Sequence, residues 1–283
     1  MMDIPKGKLI PIGGKEARSP QDDNGGGSRQ ITFENEGILQ EVLTEMKGPE
    51  SRLAVVTTAS ELPDEMRDMY VDAFGSLGCK NVEVLHLDGR NVDSKKTLGI
   101  LADVDGVFFT GGNQARLIDR ICDTKFMDLL KERYRNEDFV VAGTSAGAMA
   151  MSAVTIREGS STESLLKGIV EVSRGFTLLP KTIIDTHFMS RGRFSRLAEA
   201  LLLNPGFMAL GICEDTGLVI TGGNQLHTIG SGVALILEAD NIKSTNFEEA
   251  KKMQPVYVEG LGVHVLARGA GYSLSDRKFI VEK

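Results

Sequence analysis

The chain has 283 residues, enough to bury a full core, and its 41% hydrophobic and 25% charged content is that of a globular protein. A formal net charge of −7 lacks the basic excess of a phosphate-binding surface, so no nucleic-acid partner is expected. Three widely spaced cysteines (Cys79, Cys122, Cys213) form no CxxC pair and suit a reducing compartment. No apolar run approaches the roughly 18 residues of a membrane span, and the N-terminus lacks the apolar core of a signal peptide, so a cytoplasmic location away from membranes is expected.

Taken in order, residues 8–14 read as a first strand running into a glycine turn. Residues 15–30 are polar and rich in Gly and Asp, which predicts a mobile surface loop without core. Apolar residues at helical spacing predict a helix over 34–46, and a continuous β-branched run predicts a buried strand over 52–58. The alternation continues with a helix at 63–77, a strand at 82–87, a helix at 95–102, a strand at 106–110, one long helix at 114–135 and a strand at 139–143. Such alternation predicts an α/β fold with a doubly wound, mostly parallel sheet and helices on both faces, over one domain spanning 1–283. Ligands of such sheets bind beyond the carboxyl ends of the strands. After residue 151 the pattern loosens. A helix-like stretch at 162–168 is followed by a strand at 182–188, a helix at 194–203 and a strand at 218–220. Short strands at 226–229, 232–237, 256–258 and 262–266 then read as an antiparallel extension of the parallel sheet. Thr-Gly-Gly-Asn-Gln occurs at 110–114 before a helix pattern and at 221–225 between two strands, where it reads as a hairpin turn rather than as a repeat.

The chemistry concentrates at one turn. Gly143-Thr144-Ser145-Ala146-Gly147 follows an apolar strand and fits G-x-S-x-G, the strand-to-helix elbow that presents a serine nucleophile. The backbone N–H of Ala146, just after the serine, and one from the Gly111-Gly112 turn are the expected oxyanion donors, with Gly112 named for the second. A serine nucleophile needs a base and the base an orienting acid. Of four histidines, His86, His227 and His264 lie inside strand patterns and read as structural. His187 ends an apolar strand at the edge where Ser145 sits. Glu214 and Asp215 precede a later strand. Neighbours in an extended segment face opposite ways, so one can reach His187 while the other holds its loop. Arg191, Arg193 and Arg196 gather beside the expected base, either as carboxylate-binding forks or as a solvated helix start with Arg196 paired to Glu199. No metal-ligand cluster or phosphate cradle is present, and no metal or cofactor is expected.

Several separated stretches then add up. Gly7-Lys8-Leu9-Ile10-Pro11-Ile12-Gly13-Gly14, Phe108-Phe109-Thr110-Gly111-Gly112-Asn113-Gln114, Gly143-Thr144-Ser145-Ala146-Gly147-Ala148, Asp185-Thr186-His187-Phe188 with Arg191 and Arg193, Gly211-Ile212-Cys213-Glu214-Asp215-Thr216, and Ile229-Gly230-Ser231-Gly232 occur in an order that resembles the cyanophycinases. These are serine peptidases with a fold like the class I glutamine amidotransferases and peptidase E. The resemblance implies Ser145 as nucleophile, His187 as base and Glu214 as third member. It also implies substrate contacts from Gln114, Asp185, Arg191, Arg193, Arg196 and the position of Thr186, where the family usually carries Gln. Asn113 stands where Asp is common, and Cys213 replaces an Asp. The implied activity is hydrolysis of cyanophycin, a poly-aspartate with arginine on each side chain, to β-aspartyl-arginine dipeptides by a cytoplasmic homodimer. The pocket departures keep a peptidase E-like aspartyl dipeptidase open. A non-catalytic binding protein on the same fold is the reading from another class. The order Ser…His…Glu separates the chain from α/β-hydrolases, whose acid precedes the histidine.

Overall fold

In the computed structural model, which describes residues 4–22, 32–33, 35–159 and 164–281, the first half of the chain alternates strand and helix. The elements are β1 (Lys8–Ile12), α1 (Ile38–Thr44), β2 (Arg52–Val56), α2 (Pro63–Ser76), β3 (Asn81–Leu85), α3 (Lys95–Asp103), β4 (Gly106–Phe109), α4 (Gln114–Ile121), α5 (Lys125–Asn136), β5 (Val140–Thr144) and α6 (Ala146–Ala150). The second half is mostly strand: β6 (Ser152–Glu158), β7 (Glu171–Arg174), β8 (Leu179–Thr186), α7 (Phe194–Leu202), β9 (Met208–Ile212), β10 (Thr216–Thr221), β11 (Gln225–Gly230), β12 (Val233–Glu238), β13 (Ser244–Thr245), β14 (Val258–Glu259), β15 (Gly262–Ala267), β16 (Ala270–Ser273) and β17 (Lys278–Val281).

The strands form two large sheets. The nine-stranded sheet runs β17-β16-β11-β10-β1-β5-β4-β2-β3. From β1 to β3 its pairings are parallel, and from β1 outward through β10 they are antiparallel. The six-stranded sheet runs β15-β12-β9-β8-β6-β7. Its centre, β6–β8–β9, is parallel and its flanks are antiparallel. The α/β fold expected from the sequence is therefore present. The late strands, however, do not all extend one sheet: β10 and β11 do, β12 and β15 join the second, and the strand expected at 256–258 is β14, which pairs only with β13.

Side-chain alternation explains the layering. Ile10, Val55, Phe108 and Val140 pack with α1 and α2 on one face of the nine-stranded sheet. Val107, Phe109 and Val141 face the other way, into a core shared with α3–α5 and with Ile184, Leu210, Ile212 and Ile236 of the second sheet. On the far side of that second sheet, Ile183, Ala209, Leu235 and Leu237 pack with α7. All residues of β5 are buried, which explains a run with no polar alternation. Among the described residues no helix is long and apolar enough to cross a membrane.

Four local expectations change. The helix expected at 114–135 is two helices, α4 and α5. Cys122 leaves the helical region at ψ 147 and Asp123 turns left-handed at φ 60, which together end the first. Thr124 then caps the second, its side chain accepting from the Met127 N–H. The apolar periodicity crosses this break and conceals it. The helix-like stretch at 162–168 is not helical where it is described: Leu166 bridges Pro255 instead, and 162–163 lie outside the described residues. The strand expected at 182–188 begins earlier, at Leu179, and ends at Thr186, leaving His187 outside it. Within the expected loop 15–30, Pro20–Asp22 forms a short 3-10 turn, Glu16 is buried, and 23–30 lie outside the described residues. The hairpin reading of 221–225 holds, since Gly222 and Gly223 both take positive φ between β10 and β11.

Thr124→Ala should lower stability by about 1 kcal/mol in urea unfolding, the usual cost of a lost N-cap. A continuous helix through 122–124 would instead gain from the alanine, so the sign of the change tests the break.

Candidate active site

The carboxyl edge of the parallel strands holds the expected serine. β5 ends at Thr144, and Ser145 takes φ 52, ψ −110 before α6 begins. A non-glycine residue in that region is strained, as a serine exposed on a sharp elbow has to be. The turn closes because two side chains are missing. A Cβ at Gly143 would lie 2.9 Å from the Gly147 carbonyl carbon, and one at Gly147 would lie 2.3 Å from the Phe109 carbonyl oxygen. The 111–112 turn that ends β4 lies alongside, where a Cβ at Gly111 would be 3.6 Å from the Ser145 Cβ. Gly112 is at φ +141 over Ala59.

Two more strand ends meet it. His187 follows β8, turns out of the sheet at φ 49, and stacks its ring over Gly14. A Cβ at Gly14 would come within 2.4 Å of the His187 Cε1, so the ring position requires a glycine there. The Ser145 Oγ lies 3.0 Å from the His187 Nε2. The His187 Nδ1 lies 2.8 Å from the Glu214 Oε1, and the other Glu214 oxygen meets the Lys15 Nζ at 3.1 Å. Of the acidic pair after β9, Glu214 therefore faces the imidazole. Asp215, at φ 46, turns away and accepts from the Ser231 hydroxyl.

The residues expected to contact substrate fall into two groups. Arg191 is exposed beside the histidine. Asp185, by contrast, has no exposed surface, and its carboxylate accepts from the Arg196 Nε at 2.6 Å, from Arg193 at 3.1 Å and from the Thr186 N–H at 2.8 Å. Arg196 pairs with Asp185 and not with Glu199, which instead accepts from the Gly168 and Val170 N–H groups. Arg193 also donates to the Thr186 carbonyl at 2.7 Å. Thr186 is itself buried, and its hydroxyl has no partner among the described residues. Gln114 donates to the carbonyls of Ile156 at 2.6 Å and Arg157 at 3.1 Å, tying the start of α4 to β6. Among the described residues no group of three or more His, Cys, Asp or Glu side chains is arranged to hold a metal ion.

Comparison with known proteins decides the family. Residues 25–228 match Peptidase family S51. The chain belongs to that family. It is 32% identical over 226 residues to a cyanophycinase of Trichormus variabilis, covering 80% of this chain and 76% of the relative. It is 31% identical over 237 residues to one from Geminocystis herdmanii, covering 83% and 87%. A crystal structure of a peptidase from an acI-B1 actinobacterium superposes with a TM-score of 0.65 over 96% of this chain and 98% of that one, at 17% identity, a likeness of fold. This S51 chain is a serine peptidase with a mixed α/β fold.

Electrostatics set the protonation of the S51 site. Burial pushes the His187 imidazole below its usual value; the Glu214 hydrogen bond pulls it up, and Arg191 and Arg193 push it further down. Burial also opposes the charge on Glu214. Hydrogen bonds from His187, Lys15 and Ser190 outweigh it and hold the carboxyl at about 2. Burial lowers the Arg193 guanidinium to about 10, with Asp185 opposing the shift. The sequence reading missed Lys15 and Glu16, both in the stretch taken for solvent loop. The signal was available in Gly13-Gly14, which place these residues at the carboxyl edge of β1.

The two kinds of ion pair should behave differently. Arg196→Met leaves the buried Asp185 carboxylate with only Arg193 and a backbone N–H and should cost about 3 kcal/mol in chemical unfolding. Lys15→Gln removes a pair whose cation is 65% exposed and should cost under about 1 kcal/mol. Equal costs would mean that Asp185 is not the buried anchor its contacts indicate.

Proposed function

We propose that this peptidase hydrolyses cyanophycin, or a related β-aspartyl polymer, to β-aspartyl-arginine dipeptides through an acyl-enzyme on Ser145. The relay from the Ser145 Oγ through both ring nitrogens of His187 to Glu214 carries the reading, at 3.0 and 2.8 Å. His187, held below its usual pKa, is neutral near pH 7 and free to accept the serine proton at Nε2. Ser145 then attacks the peptide carbonyl. The backbone N–H groups of Ala146 and Gly112 receive the oxyanion. Glu214 keeps the hydrogen on Nδ1 and stabilises the imidazolium, which returns its proton to the leaving amine. A water activated by the same histidine releases the acyl group.

The substrate part rests on the cyanophycinase relatives and on cations at the mouth of the site. Exposed Arg191 is suited to the α-carboxylate or aspartyl groups of such a chain. Asp185, Thr186 and Arg196 act on the substrate through the shape of the 185–196 loop. That Asp185 and Thr186 have no exposed surface also favours a second reading, a peptidase E-like aspartyl dipeptidase, whose short substrate needs fewer contacts. A cytoplasmic homodimer goes with the first reading, and sedimentation of the purified chain checks its assembly.

Incubation with insoluble cyanophycin should release β-aspartyl-arginine, and Ser145→Ala should abolish the release. If only α-linked aspartyl dipeptides are cut, the second reading replaces the first. Glu214→Gln should lower kcat about 10²- to 10⁴-fold while the fold persists. The pH profile has a definite sign: kcat/KM should rise with pH through one ionisation lying below the ordinary imidazole value of 6.5, because the active form is neutral His187. An ionisation above that value would contradict the electrostatics of the site.

A further inference from the structure

Glu16 lies only 2% exposed in a turn whose sequence is that of a solvent loop. Its Oε1 accepts from the Tyr70 hydroxyl at 2.6 Å and its Oε2 from the Thr144 hydroxyl at 2.7 Å. Tyr70 and Thr144 are 2% and 3% exposed, so the group is buried between α2 and the end of β5. Burial, then the neighbouring Glu16, hold the Tyr70 hydroxyl well above the ordinary phenol range, so it stays a donor. Burying a carboxyl group between two hydroxyls contributes little to stability compared with apolar packing of the same volume, so its position calls for another explanation.

Thr144 immediately precedes Ser145, which leaves the strand in a strained conformation. The backbone of the same turn holds the other members of the site. The Ile12 carbonyl accepts from the Ser145 N–H at 2.9 Å, the Gly13 carbonyl from the His187 N–H at 2.8 Å, and the Gly14 carbonyl from the Asp215 N–H at 2.9 Å. Neither glycine has room for a side chain, since a Cβ at Gly13 would lie 1.8 Å from the Cys213 carbonyl oxygen. The turn is therefore wedged against all three strand ends, with Glu16 as its buried anchor.

We propose that Glu16 is a positioning residue of the peptidase, which fixes the Thr144 end of β5 so that the Ser145 hydroxyl is aimed at His187. This rests on the reading of Ser145 as nucleophile. Glu16 touches no reacting atom and acts through Thr144. The competing role is a structural tie between α2 and the sheet, and the two hydroxyls separate the roles: Tyr70→Phe removes the bond to α2, and Thr144→Val removes the bond to the elbow.

The test is phosphonylation of the full chain by a fluorophosphonate probe, followed by intact mass, with thermal unfolding measured alongside. Thr144→Val should lower the maximal labelling rate about 10- to 100-fold at an unchanged probe-binding constant, the scale on which misplaced groups lose rate. Thr144→Ser, which keeps the hydroxyl, should restore it, and Tyr70→Phe should lose stability without comparable loss of rate. Glu16→Ala should match Thr144→Val; if it does not fold, the threonine pair carries the test. Wild-type labelling rate in folded Thr144→Val, or slowing in Tyr70→Phe and Thr144→Val alike in proportion to lost stability, overturns the proposal. Absence of Ser145 labelling in the wild type would overturn the nucleophile reading instead, so the two failures are distinct.

Discussion

The contact on which the site depends is the wedge of Ile12–Glu16 between three strand ends. Parallel strands deliver Ser145, His187 and Glu214 to one edge of the molecule, but they belong to two different sheets. Nothing in either sheet alone sets the distance between them. Carbonyls of consecutive residues, Ile12, Gly13 and Gly14, bind the backbones of Ser145, His187 and Asp215 and so tie both sheets to one short segment. Backbone hydrogen bonds are suited to this because their geometry is stiff and does not depend on rotamers. The two glycines are the local requirement, and the buried Glu16 is the long-range one.

A second layer of the site is electrostatic. The Asp185 carboxylate, fully buried under the histidine loop, is held by two guanidinium groups and a backbone N–H. Such a cluster adds little net stability, because desolvation offsets most of its attraction, but it tolerates few alternative geometries. It shapes the segment from His187 to α7, and its Arg193, with Arg191, adds to the burial that lowers the His187 pKa. Glu214 sits in the opposite situation, partly solvated and well supplied with donors, and stays ionised. Burial therefore dominates at His187, whereas at Glu214 donated hydrogen bonds, that of His187 first, outweigh it.

Much of this was readable from residue pattern. The alternation of strand and helix up to β5, the G-x-S-x-G elbow, a histidine at the end of a strand pattern and an acidic pair before a later strand are all local signals. The readings that changed share a cause. The single helix at 114–135 became two because apolar periodicity runs through the break at Asp123, where only the backbone turns. The late strands divided among three sheets because their patterning records which faces are buried, not which neighbour buries them.

The sequence by itself determined the fold class and the elbow at Ser145, and it placed His187 at a strand end on the same edge, because tight turns and strand ends require particular residues at fixed spacing. Only the tertiary structure decided that Glu214 and not Asp215 faces the imidazole, that Asp185 and Arg196 are buried together, and that Glu16 is buried against Thr144. Glu16 and Thr144 are 128 residues apart, and no local rule distinguishes a buried glutamate from a solvated one. Which polar side chain ends in the interior depends on the partners brought to it by distant parts of the chain.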